Sequence, residues 1–289
     1  LHDAGIEPMV TLNHYTLPLW VHNGVACHEN LETCEAKGWV DGPRIVRLIG
    51  LYAGFVGEEF GGKVDKWLTL NEPFAASLSG YALPGELRSS PPGLRLNYEA
   101  TVDVMLHQIE GHAAMYDGLK LYDTVAMTES SEPAEVGIVM NMTAFAPTDE
   151  NREADLLGVE HADYLYHQLY LNAMTSGDWD PDLDGIPNET RDDLANRLDF
   201  IGVNYYNQVL ITGFAMSLTS EIPVFDFFPD IQPDAYAPGL YEVVARAADW
   251  GLPVFVTENG TAGQDTAVEF LDEHLGALQD AVDQGIDVR

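Results

Sequence analysis

Five short β-rich runs, Pro8–Asn13, Lys66–Asn71, Val136–Asn141, Asp199–Asn204 and Pro253–Thr257, are separated by longer stretches whose apolar residues recur at helical spacing. Those stretches are Arg44–Glu59, Tyr98–Leu121, Asp155–Met174, Leu240–Trp250 and Ala267–Gln284. Strand-then-helix alternation predicts an α/β fold with a parallel sheet. Polar and ionisable residues gather where the runs end: Asn13-His14, Asn71-Glu72, Asn141, Asn204-Tyr205-Tyr206 and Glu258-Asn259. A rim of this kind predicts a (β/α)8 TIM barrel, whose sites are assembled from the C-terminal ends of several strands. An open, doubly wound sheet is disfavoured, because no Gly-rich dinucleotide fingerprint follows any of the runs.

The ends fit the same reading. Leu1–Ala4 followed by Gly5 reads as the last turn of a helix with its glycine cap, and Asp287–Arg289 as the start of a further strand. A closed barrel needs more strands than these. Residues 1–289 are therefore expected to be a single barrel domain truncated at both ends. Unpaired strand edges favour association, so a homo-oligomer is expected.

Charge limits the partners. With 13 Lys+Arg against 47 Asp+Glu, the net charge is −34 and the pI about 4.2. Nucleic-acid binding is excluded, since phosphate recognition needs clustered cations, and an anionic membrane surface would repel the chain. With 46% hydrophobic residues the protein is globular rather than an acidic disordered tail. Dense carboxylates and scarce lysine suit a KCl-rich cytoplasm, where molar salt screens self-repulsion. The expected setting is the cytoplasm of a salt-in halophile. No apolar run approaches the roughly 18 residues a membrane helix requires.

The sharpest chemical signal is a pair of glutamates, Glu72 in Thr69–Pro73 and Glu258 in Val256–Gly260, each closing a β-run. Glycoside hydrolysis needs one carboxyl group that donates a proton to the leaving oxygen and one that attacks or activates water. Different surroundings can fit two identical side chains to those two tasks. Pro73 is expected to hold Glu72 in an extended backbone, and Asn259-Gly260 to turn the chain after Glu258. Tyr206 follows Asn204 by two residues on one strand face, which brings its phenol within reach of Glu258.

Four ordered segments, Val10–Pro18 (VTLNHYTLP), Thr69–Pro73 (TLNEP), Asp199–Tyr206 (DFIGVNYY) and Val256–Gly260 (VTENG), resemble the signatures of glycoside hydrolase family 1, the β-glucosidase/β-galactosidase family, in its archaeal wording. The resemblance covers nearly the whole chain and corresponds to barrel strands three to seven with the beginning of strand eight. It implies a retaining, exo-acting β-glycosidase that needs no cofactor and acts on β-glucosides, β-galactosides or short β-linked oligosaccharides. Glu72 would be the acid/base and Glu258 the nucleophile, with carboxyl groups about 5–5.5 Å apart. Asn71 would bind the sugar 2-hydroxyl, His14 a glycone hydroxyl, and Asn204 and Tyr206 would complete the saccharide site. Tyr15 stands where the family usually carries Trp, and the segment Ser217–Gly239 lacks a Trp common before the following helix. The family's strand-one Gln, strand-two Arg and the Trp/Glu loop after strand eight would fall outside residues 1–289. A truncated or non-catalytic relative is thus the alternative, and another two-carboxylate barrel glycosidase a third.

Three further groups invite other readings. His22, Cys27, His28 and Cys34 form a nitrogen/sulfur set for zinc, though their spacing matches no standard pattern. A Cys27–Cys34 disulfide is the second option. Unpaired thiols are expected over both, because a cytoplasm is reducing. Asp178–Asp184 opens like a calcium loop but carries Arg191 where the closing Glu belongs, which favours a hydrated acidic loop. Trp20, Trp39 and Trp179 are either packing residues or sugar platforms.

Overall fold

Strand-forming sequence ends here where a helix signal begins, and the computed structural model, which describes residues 4–85, 89–128, 131–261 and 266–289, follows that punctuation closely. In chain order come β1 (Met9–Asn13), α1 (Gly24–Glu29), α2 (Gly42–Phe60), β2 (Lys66–Asn71), α3 (Pro73–Ser77), α4 (Tyr98–Tyr122), β3 (Glu135–Asn141) and β4 (Ala144–Pro147). They are followed by α5 (Glu153–Asp163), α6 (Leu169–Ser176), β5 (Asp178–Trp179), β6 (Glu189–Thr190), β7 (Phe200–Tyr205), β8 (Gln208–Gly213), β9 (Phe227–Ile231), α7 (Ala237–Ala248), β10 (Val254–Asn259) and α8 (Ala267–Asp283). The first three residues of the expected helical turn Leu1–Ala4 lie outside the described residues; Gly5 has the positive φ of a cap, 69°.

Packing divides the chain into two compact units, Leu1–Ile138 with Met174–Gly177 and Thr190–Asp199, and Val139–Ala173 with Asp178–Glu189 and Phe200–Arg289. The boundary runs through β3.

In the first unit the strands neighbour in the order β1-β2-β3, and β1 pairs with β2 in parallel. Trp67, Leu68 and Leu70 of β2 are buried. α2 and α4 lie against each other so closely that a Cβ on Gly118 would stand 2.7 Å from the Gly50 carbonyl oxygen. α4 also pins β2: His112 is fully buried, takes the Thr69 hydroxyl on Nδ1 at 2.6 Å and donates from Nε2 to the Arg197 carbonyl at 2.6 Å. Burial disfavours a second proton, which lowers its pKa to about 4.

The Cys27–Cys34 expectation is corrected in this unit. The two sulfurs form a disulfide with Cα atoms 5.0 Å apart. Asn30, at the C-cap of α1, accepts the Cys34 backbone N–H and the Thr33 N–H, so the chain folds back and brings the cysteines together. Both sulfurs of the zinc set are thereby consumed.

In the second unit the sheet runs β3-β7-β10, with β7 and β10 parallel. Val288 bridges Val254 in parallel, as expected of a strand beginning at Asp287–Arg289. A second sheet, β4-β8-β9, is not among the expected strands; its outer strands β4 and β9 carry Pro147 and Pro229, which weaken a strand signal. The single helix expected over Asp155–Met174 is instead α5 and α6 with a π turn, Tyr164–Gln168, between them. The extra residue in that turn brings Gln168, five residues on, to Asp163 at 2.6 Å, beside His167 at 2.7 Å, and Arg246 also reaches the carboxylate at 2.7 Å. Burial works against the Asp163 charge, but His167, Arg246 and Gln168 together hold its carboxyl well below the usual carboxylate range.

Candidate active site

Each glutamate of interest sits with its own set of partners. In the first unit, β2 ends at Asn71 and α3 begins at Pro73, leaving Glu72 alone to turn the chain. It does so from the left-handed region, φ 46° and ψ 59°, which corrects the extended backbone expected before Pro73. Proline restricts its predecessor away from the right-handed helical basin. It does not forbid the left-handed one, which reverses the chain within a single residue. Pro73 then serves as the first helical residue, where no backbone N–H is needed. Ser77 of α3 donates to Gln108 of α4 at 2.8 Å, which fixes the short helix and the turn before it.

The partners of Glu72 come from the segment after β1. The register that pairs Met9 with Lys66 and Asn13 with Leu70 is an offset of 57 residues, and it persists beyond both strand ends. At that same offset Asn71 Nδ2 approaches His14 Nε2 at 3.4 Å, and the Tyr15 hydroxyl donates to Glu72 Oε2. Asn71 and Glu72 are buried and His14 is exposed. Beside Asn71 and Tyr15 lies a small cavity of about 20 Å3, lined also by His22 and Tyr81. His22 Nε2 and Tyr81 Oη are buried there without a hydrogen-bond partner among the described residues. Burial lowers the His22 pKa and raises that of Tyr81, so both side chains are neutral near pH 7.

In the second unit, β7 and β10 keep one register from Val254↔Ile201 to Val256↔Val203, after which Glu258 faces Asn204. Thr257 is the extra residue of a β-bulge, a device that re-aims the side chains beyond it. Its hydroxyl donates to Asn204 Oδ1 at 2.7 Å, and Asn259 Nδ2 donates to the Tyr205 carbonyl at 2.8 Å. The Tyr206 hydroxyl donates to Glu258 Oε2 at 2.5 Å. Tyr205 packs inward and donates to the Tyr236 carbonyl at 2.7 Å, beside Gly239, where a Cβ would stand 2.0 Å from the phenol oxygen.

The geometry thus joins Glu72 with Asn71, His14 and Tyr15, and Glu258 with Tyr206, Thr257 and Asn204. Asn204 is wholly buried and reaches the surroundings of Glu258 through Thr257 rather than as an exposed amide. Tyr15 and Thr257 were not singled out as site residues from sequence. The signal for Tyr15 was its place directly after His14 in a strand-end motif; for Thr257 there was none, because a bulge is a property of pairing. Trp39 is buried and Trp20 exposed. Asp180, Asp182 and Asp184 approach one another closely enough for a cation, but Asp180 is occupied by Tyr164 and by the backbone N–H of Gly185.

Comparison with known proteins adds an independent line. The family model described as Glycosyl hydrolase family 1 matches residues 1–289. A β-galactosidase of Pyrococcus woesei is 33% identical over all of this chain and 60% of its own length. One of Saccharolobus solfataricus is 29% identical over all of this chain and 58% of its own. Among solved structures, the β-glycosidase from Pyrococcus horikoshii aligns with a TM-score of 0.77 and 27% identity, covering 100% of this chain and 61% of that one. Fpglu1 from Fervidobacterium pennivoraus gives a TM-score of 0.80 at 23% identity, covering 100% of this chain and 59% of that one, a likeness of fold. The chain spans about 60% of the length of these relatives. The α/β architecture is that of part of a (β/α)8 barrel.

Proposed function

Because the chain belongs to glycosyl hydrolase family 1, we propose that it carries the two carboxylates of a retaining, exo-acting β-glycosidase. Glu258 attacks the anomeric carbon and Glu72 protonates the departing glycosidic oxygen, giving a covalent glycosyl-enzyme. Glu72, now ionised, then takes a proton from the water that releases the sugar. A neutral donor set on each carboxylate, Tyr206 on Glu258 and Tyr15 on Glu72, is the observation that carries this reading. Asn71 is the group for the sugar 2-hydroxyl, His14 and Tyr206 face the glycone, and Asn204 supports them through Thr257. The names of the relatives point to β-galactosides and β-glucosides as substrates. The net charge of −34 supports a salt-rich cytoplasm as the setting, and association into a homo-oligomer belongs to the same proposal.

Hydrolysis of aryl β-glycosides in ~2 M KCl, where surface charge is fully screened, tests this on the 289-residue chain beside Glu258→Gln and Glu72→Gln. Glu258→Gln loses turnover altogether. Glu72→Gln keeps the first step for good leaving groups and loses it for poor ones. Tyr15 where the family usually carries Trp, and a segment Ser217–Gly239 without one, favour a second reading, a family member that binds saccharide without turning it over. A folded chain that binds but does not hydrolyse any of the panel would establish that one instead.

A further inference from the structure

Tyr15 sits in a conformation that side chains rarely adopt. Its φ is 69°, and the His14 carbonyl accepts the Thr16 N–H at 2.9 Å, so Tyr15 is the central residue of a three-residue γ-turn of the strained hand. The turn is held from outside: Asn13, buried at the end of β1, donates from Nδ2 to the Thr16 carbonyl at 2.9 Å. The His14 ring stands edge-on to the Tyr15 ring, with centroids 5.0 Å apart. Strained backbone costs of order 1–3 kcal/mol and persists where surrounding contacts over-determine it. Here the strained turn delivers one group, a phenol hydroxyl, to one place, the carboxylate of Glu72, which is itself in the left-handed region.

We infer that Tyr15 is the positioning residue of the Glu72 carboxyl group, holding Oε2 from the side of the β1 segment so that the carboxyl is fixed for proton transfer. The inference rests on the acid/base role proposed above for Glu72. Tyr15 also lines a small cavity beside Asn71 and an open cleft formed by Leu17, Val25, His28 and Ser89–Gly93. Titratable groups on the surrounding elements of this unit, among the described residues, include His14 and Tyr15 after β1, His22 in the next loop, Tyr81 in the π turn Leu78–Ala82 after α3, and Asp103, His107, Glu110 and His112 of α4, which packs against α3 and β2. His22 and Tyr81 are neutral, so neither offsets the effect of a phenol donor on a carboxylate. That effect is to favour the ionised form.

Tyr15→Phe on the full chain tests the assignment by two readouts. Carbon-13 NMR of the glutamate carboxyl groups, with Glu72 identified by the resonance that Glu72→Gln removes, is expected to show the Glu72 midpoint rising by about one pH unit, a tenfold change in acidity. The Glu258 resonance keeps its midpoint. In turnover, kcat/KM for a phenyl β-glycoside falls about tenfold and that for a dinitrophenyl β-glycoside less than twofold, because only the first needs the acid. An unmoved Glu72 midpoint overturns the inference, and so does an equal loss for both leaving groups. If Tyr15→Phe does not fold, 3-fluorotyrosine at position 15 keeps the ring and strengthens the donor, and the Glu72 midpoint must then fall. Should Glu72→Gln itself show no leaving-group dependence while Tyr15→Phe still shifts the Glu72 midpoint, the acid/base reading fails and the positioning contact stands.

Discussion

The Thr257 hydroxyl donates to Asn204 Oδ1 across 2.7 Å at the point where β10 carries one residue more than β7. Without that extra residue Glu258 would stand level with Tyr205. With it, Glu258 is level with Asn204, and the Tyr206 phenol reaches its carboxylate. Position along the strand and pairing across it therefore decide together where the proposed nucleophile points.

Thr257→Val removes the hydroxyl but keeps the shape and strand preference of the side chain. A buried hydrogen bond lost on one side costs about 1–2 kcal/mol. Urea unfolding should show a loss of that size, and turnover should fall further than stability alone explains, since the bulge loses its anchor. Unchanged turnover in a destabilised protein would show that the bulge holds its shape without Thr257.

Tyr206→Phe separates positioning from stability. Tyr206 is 42% exposed, so its hydroxyl contributes little to folding, but the 2.5 Å bond to Glu258 is one of the charge-assisted kind. The melting temperature should stay within a degree or two, while kcat on an aryl β-glucoside falls roughly 10- to 100-fold, the effect of about 1.5–3 kcal/mol. A variant with wild-type kcat would remove Tyr206 from the proposed site.

The strands β2 and β10 were legible because β-branched and aromatic runs stop at motifs whose polar residues have no place in a core. Lys66–Asn71 was recovered to the residue, and β10 runs two residues past its expected end, to Asn259. What stayed hidden depends on contacts far apart in sequence. The left-handed turn at Glu72 is imposed by the need to pass from strand to helix in one residue, which outweighs the extended preference before Pro73. The π turn at Tyr164–Gln168 leaves the apolar periodicity nearly intact and shows itself in the Asp163–Gln168 contact, five residues apart. The disulfide was judged from an assumed compartment, a weaker guide than the fold-back at Asn30 that brings Cys27 and Cys34 together.

Stability should fall with acid in two stages. His112 binds its proton at about pH 4 when folded and at 6.5 when unfolded, so the unfolded chain holds more protons between those values. Its contribution is fully present above pH 6.5 and is lost as pH falls towards 4, by roughly 3 kcal/mol if the whole difference is realised. Asp163 is depressed in the opposite chemical sense: the unfolded carboxyl protonates first, so its stabilisation is present above the ordinary carboxylate range and disappears below it. His112→Gln, which can still donate to the Arg197 carbonyl, should flatten the upper stage and leave the lower one. An identical pH profile in the variant would place the acid sensitivity elsewhere.

A net charge of −34 on 289 residues makes self-repulsion the main electrostatic term in dilute buffer, with only 13 Lys+Arg to offset it. Among the described residues three cations each serve two carboxylates: Arg191 serves Glu110 and Asp193, Arg246 serves Asp163 and Asp249, and Lys66 serves Glu7 and Glu135. Salt weakens the more exposed of these pairs, such as Arg191–Asp193 and Arg246–Asp249, which are worth little individually, while it screens the far more numerous carboxylate–carboxylate repulsions. At ~1 M the screening length is about 3 Å, so repulsion between surface neighbours is removed almost entirely. The melting temperature should therefore rise by at least several degrees between 0.1 and ~2 M KCl. Replacing KCl by an uncharged osmolyte at equal osmolarity separates screening from preferential exclusion, and a rise of the same size with the osmolyte would mean that the acidic surface is not what salt acts on.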